Sequence, residues 1–175
     1  MAGKRFITIW GFMILVAIWI CLVGFHTPAI AETMNYKLYH YQVKAEIALI
    51  GDMEGHIMRQ TMRRGFFVIE NGEVASWLGV IHTDLIKGSG SFKIYATITF
   101  SDDSTIILKA EGTLGGTAAT LQTNEAKGEI IKGTGRFEGI KGTGTSRTRY
   151  LPLEKGEDGQ KAIAEGTLNY TLPPK

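Results

Sequence analysis

The chain of 175 residues contains one cysteine, Cys21, and it lies in the N-terminal stretch MAGKRFITIWGFMILVAIWICLVGFHTPAIAE. Lys4 and Arg5, an apolar run from Phe6 to Phe25, and Ala29-Ile30-Ala31 give that stretch the three regions of a secretory signal peptide. The run is long enough to span a bilayer as a retained anchor, but Pro28 and the Ala-x-Ala ending favour cleavage after Ala31. Ile18-Trp19-Ile20 supply no small residue before Cys21, so the cysteine reads as filler of the apolar run rather than a lipid-attachment site. Without cysteine, residues 32–175 are excluded from disulfides, thiolate nucleophiles and cysteine metal sites together. We expect a signal peptide over 1–31 and a single domain over 32–175, secreted or periplasmic, with membrane contact only through an uncleaved N-terminus.

Net charge is the second absence. Cleavage removes Lys4 and Arg5, which takes Lys+Arg from 19 to 17, equal to the 17 Asp+Glu. A neutral protein has no global field with which to collect nucleic acid or anionic membrane, so no nucleic-acid partner is expected. Histidine is scarce too: His40, His56 and His82 are on different segments, with no HxH or HxxxH spacing, and no metal or cofactor is expected. His82 and Asp84 lie two apart, a spacing at which a carboxylate can orient an imidazole, although an exposed strand end is the simpler reading. No serine has a nucleophile-elbow setting: Ser89 and Ser91 sit in a glycine turn and Ser76 precedes Trp77.

No helical period appears beyond residue 35, whereas apolar and polar residues alternate repeatedly between glycine, aspartate and asparagine punctuation. In the first such segment Tyr39, Tyr41, Val43, Ala45, Ile47 and Leu49 share the face expected to be buried, against His40, Gln42, Lys44 and Glu46. The clearest hairpin sets Phe92, Ile94, Ala96, Ile98 and Phe100 on one face, turns at Ser101-Asp102-Asp103-Ser104, and returns through Ile106, Leu108 and Ala110. Further strands are expected at about 56–69, 73–84, 127–132, 143–150 and 161–171. About eight antiparallel strands in one domain lose their edges most simply by closing into a barrel. KGSGSF at 87–92 recurs as KGTGRF at 132–137, and EGTLGGT at 111–117 as EGTLNYT at 165–171, an echo that suggests a duplicated hairpin unit.

The segment EIIKGTGRFEGIKGTGT, 129–145, invites comparison with a phosphate-binding loop, but such loops lead into a helix, and here GTGTSRTRYLPL reads as strand. Its glycines Gly133, Gly135, Gly139 and Gly142 instead suit a tight sheet corner, with Phe137 dropped into the core between them. At these residues the sequence resembles allene oxide cyclases, and more loosely plant dirigent proteins. Similarity extends to the hairpin YATITFSDDSTIILKAEGTL and to ALIGDM, and spans about residues 45–170. The resemblance implies an eight-stranded, calycin-like antiparallel β-barrel with an apolar cavity, often assembled into dimers or trimers. In that family the chemistry depends on a carboxylate near the end of the first strand with Asn and Pro around it; here Glu46 occupies the strand, and no Asn or Pro follows before Gly51-Asp52.

Arg59 and Arg63 share a strand face with Thr61, while Met58, Gln60, Met62 and Arg64 take the other. Facing the lumen, the two guanidiniums would hold a carboxylate or enolate oxygen of an otherwise apolar ligand. Facing water, the more usual place for arginine, they would pair with Glu46 or Glu70. Catalytic candidates are therefore Glu46, Arg59 and Arg63, and Met58, Met62, Phe66, Trp77 and Tyr95 are the candidates for lining a greasy pocket. Three functions fit: an isomerase or cyclase acting by confinement on a small apolar molecule, a non-catalytic carrier of such a molecule, or a structural envelope protein with a filled barrel.

Overall fold

The computed structural model describes residues 30–115 and 123–174; the expected signal peptide, including Cys21, lies outside them but for its last two residues. Eight strands follow one another: β1 (Ala31–Leu49), β2 (His56–Ile69), β3 (Val74–Ile86), β4 (Ser89–Thr99), β5 (Thr105–Leu114), β6 (Thr123–Thr134), β7 (Lys141–Leu151) and β8 (Lys161–Thr171). Each pairs antiparallel with the next, and β8 returns to β1, so the sheet closes into a barrel. Closure satisfies the ladder hydrogen bonds that an open sheet would leave at its edges.

Which side chains enter the barrel follows from its floor. Phe67 and Ile69 of β2, Ile98 of β4, Ile106 of β5 and Leu168 of β8 are buried together at one end, each side chain contributing about 1.5–3 kcal/mol relative to exposure. Because side chains alternate strictly along a strand, burying Phe67 and Ile69 carries Thr61, Arg63 and Arg59 inward as well. The 92–100 hairpin face also lies inside as expected, with Ile98 and Ile106 fully buried.

The glycine-rich segment is the corner that plugs this floor. After β6 the chain makes a 3-10 turn over Gly135–Phe137 and then enters β7, with no helix to cradle a phosphate. Gly135 has φ of 61°, and a Cβ there would lie 2.3 Å from Ser104 Oγ, so glycine is required on both counts. Phe137 packs into the core with its ring centroid 4.7 Å from that of Phe100. The Arg136 guanidinium covers both rings from outside, at 4.6 and 4.9 Å, and pairs with Glu73.

Two expectations are corrected. In β1 the buried face is Met34, Tyr36, Leu38 and His40, and Tyr39, Tyr41, Val43, Ile47 and Leu49 are exposed. A bulge between Gln42 and Lys44 shifts the alternation by one, so the run from Tyr39 to Leu49 never formed a single face. Ladder pairing with β8 ends at Tyr41, the Gln42 N–H still donates to the Gln160 carbonyl, and beyond Gln42 β1 is paired with β2 alone. The KGSGSF and KGTGRF echo is likewise not a structural repeat: the first opens β4, whereas the second ends β6 and runs into the 3-10 turn.

Candidate functional site

Above the floor, the barrel encloses a cavity of about 140 Å³. Its lower wall is apolar, with Tyr36, Leu38, Phe67, Trp77 and Leu168 among the lining residues. Trp77 reaches into it because the next inward position on β3 is Gly79, where a Cβ would meet the indole ring at 2.1 Å. Toward the mouth polar residues join the lining beside Leu85, Phe92 and Leu114: His40 from β1, Arg59, Thr61 and Arg63 from β2, Asn124 from β6, Thr148 and Tyr150 from β7, and Gln160 just before β8.

Arg63 is only 3% exposed. One terminal nitrogen donates to Gln160 Oε1, the other makes a long 3.5 Å contact with His40 Nδ1, and the guanidinium lies 5.3 Å from the centroid of the Tyr150 ring. Arg59 donates to Gln42 Oε1. The Nε atoms of both arginines are buried without a hydrogen-bond partner. Among the described residues lining the cavity the one carboxylate is Glu129, and its side chain is exposed outside, 3.7 Å from Lys109 Nζ. The lumen thus holds two cations and no anion. Burial drives the His40 imidazole down to about 3, and the nearby Arg63 charge pushes the same way, so His40 is neutral and its Nδ1 is available as an acceptor. Burial also lowers Arg63 from its ordinary range, and Arg59 adds to this by like-charge repulsion, although a guanidinium keeps its proton at any physiological pH. The Tyr36 hydroxyl is pushed up to about 12, again by burial, against a hydrogen bond with Ser146.

Of the residues singled out from the sequence, Arg59, Arg63 and Trp77 line the cavity. The others do not. Met58, Met62, Phe66 and Tyr95 lie on the outer surface, Phe66 at 63% exposed, because they alternate with the inward residues of β2 and β4. Glu46 is also outside, with its carboxylate 2.6 Å from Lys44 Nζ, and Glu70 accepts from Asn35 rather than from an arginine. His82 is exposed, and Asp84 pairs not with it but with His56, whose ring is held between Asp52 at 2.5 Å and Asp84 at 2.9 Å. Those two carboxylates raise the His56 pKa, Asp52 foremost, and the hydrogen bond to His56 lowers that of Asp52. Gly133, Gly135, Phe137, Gly139 and Gly142 belong to the corner and not to the cavity. Sequence reasoning missed His40, Gln42, Asn124, Thr148, Tyr150 and Gln160 as lumen residues. A signal was present for Thr148 and Tyr150, which alternate with Arg147 and Arg149 in SRTRYL.

No family model and no curated protein matches the chain. Solved structures with a similar arrangement of strands include two pterocarpan synthase dirigent proteins, at 12% and 11% identity. Each has a TM-score of 0.47, covering 85% and 86% of this chain and 92% and 99% of theirs. A conserved protein of unknown function from Rhodopseudomonas palustris is similar at 8% identity and a TM-score of 0.48, over 82% of this chain and 99% of its own. At these identities and TM-scores the likeness carries no family, role or activity to this chain.

Proposed function

We propose that the chain is an exported small-molecule-binding barrel that carries a compact, largely apolar ligand in its lumen. The unfilled lumen supports this reading: a purely structural barrel would pack its interior with side chains, as small barrels commonly do. A void of about 140 Å³ is close to the roughly 150 Å³ engineered cavity that stays dry and takes up benzene, so it suits one ring or a short branched chain. Isomerisation by confinement has less support, since Glu46, the carboxylate considered for that chemistry, faces solvent beside Lys44. Toluene is the simplest probe. It should raise the thermal midpoint of the wild-type chain by mass action, and Ala164→Leu, which extends a lining side chain into the void, should abolish the response. An equal response in wild type and variant, or none in either, would overturn the lumen as the site.

A second reading concerns the outside. Tyr39, Tyr41, Met62, Phe66, Leu78 and Tyr95 are exposed on neighbouring strands β1 to β4, beside the β1 segment past Gln42 that has no strand paired to it on one side among the described residues. We propose that a second copy of this chain covers the face, pairing its own open β1 edge antiparallel to this one, as unprotected apolar edges readily do. Phe66→Lys, on the outer face of β2, should then convert a sedimenting oligomer to monomer; a wild-type chain already monomeric at tens of micromolar would refute the interface.

A further inference from the structure

We infer that Arg59 and Arg63 form the head-group subsite of this lumen, and that its ligand is a compact apolar monocarboxylate whose oxygens displace the amide oxygens of Gln42 and Gln160. The inference rests on the ligand-binding reading above and specifies its chemistry. A buried guanidinium at Arg63 and a partly buried one at Arg59, with no carboxylate facing them among the described residues, are costly, because desolvation of an ion is offset only by an opposite charge and full hydrogen bonding. Here the partners are neutral, and each Nε has none. The two arginines converge on one place, since Gln42 and Gln160 are adjacent, with the Gln42 N–H donating to the Gln160 carbonyl at 2.9 Å.

The shape of the present partners identifies the missing one. A primary amide is planar and nearly isosteric with a carboxylate, so a site that seats two amide oxygens on guanidinium forks seats carboxylate oxygens in the same geometry. The carboxylate adds the charge that the amides lack. Below the arginines the wall becomes Trp77, Phe67 and Leu38, with a volume suited to a single ring. Gln160 closes the loop at 152–160 and occupies Arg63 when the site is empty, which makes it a competitor that the ligand must displace.

The test uses the full chain and three probes of similar size, benzoate, benzamide and toluene, titrated by calorimetry. Benzoate should bind at least ten-fold more tightly than benzamide. Arg63→Met should bring the two within about two-fold while toluene still binds, and Gln160→Ala, which removes the competing oxygen from a loop-end position, should strengthen benzoate several-fold. Equal binding of benzoate and benzamide to wild type, or weaker benzoate binding in Gln160→Ala, would overturn the head-group subsite while leaving the apolar lumen intact. Failure of all three probes to bind would remove the lumen reading and the subsite with it. The glutamine variant leaves the buried arginine in place, so the test does not depend on Arg63→Met folding.

Discussion

Arg63→Met should make the protein more stable. The wild-type guanidinium, 3% exposed, bears an effective desolvation penalty of several kcal/mol, and its unpaired Nε adds about 1–3 kcal/mol. Against these stand one charge-assisted hydrogen bond to Gln160, about 1.5–3 kcal/mol, and the contact with the Tyr150 ring, about 0.5–2 kcal/mol. The 3.5 Å approach to His40 is too long to count for much. Methionine, whose chain ends at the level of the unpaired Nε, keeps the apolar stem, removes the charge and frees Gln160 to turn toward water, so the balance favours the variant by about 1–4 kcal/mol, the range seen when buried ions are replaced by packed apolar groups. Urea unfolding followed by circular dichroism measures this directly. With a slope of about 2 kcal/mol per molar, the midpoint should rise by roughly 0.5–2 M. A midpoint that falls by a comparable amount at unchanged slope would show that the guanidinium's contacts outweigh its desolvation, and the argument for a missing anion would lose its energetic basis.

Phe137→Ala should unfold the floor, costing about 3–5 kcal/mol and lowering the Tm by on the order of 10–20 °C, whereas a loss under about 1 kcal/mol would mean that the corner does not close the barrel. The histidines should separate in an NMR titration. His56, held by Asp52 and Asp84, should titrate with a midpoint raised above 6.5, its contribution to stability fully present below that pH and lost as pH rises through the raised value. His40, lowered to about 3, should stay neutral from pH 8 to 5 and cost stability progressively as the pH falls from about 6.5 toward 3, because only the unfolded chain takes up that proton; a His40 midpoint near 6 would contradict its burial beside Arg63. The mature protein should have the mass of residues 32–175, with Glu32 retained to accept the Tyr170 hydroxyl at 2.8 Å; an intact N-terminus would favour the anchored form.

The 3.3 Å rise and two-residue period of a strand are local properties, and what depended on them was legible. Strand positions from β2 to β8, the 92–110 hairpin face and the glycine corner at 133–142 were all fixed by alternation and by where only glycine fits. Tyr95 was legible as an outer residue too, since it alternates with Ile94 and Ala96, whose inward face was already assigned. Three things required the closed sheet. The bulge after Gln42 leaves no mark in the sequence, yet it decides which half of β1 faces inward. The direction of Arg59 and Arg63 is set eight residues away, where Phe67 and Ile69 must pack against Ile98, Ile106 and Leu168 from other strands, so burial at one end of β2 overrides the preference of arginine for water at the other. Gln160 and Gln42, separated by more than a hundred residues, meet only because β8 returns to β1. The sequence alone determined that the chain alternates, turns and closes; the sharing of one interior by eight strands decided that two cations would face a largely apolar cavity with no carboxylate pointing into it among the described residues.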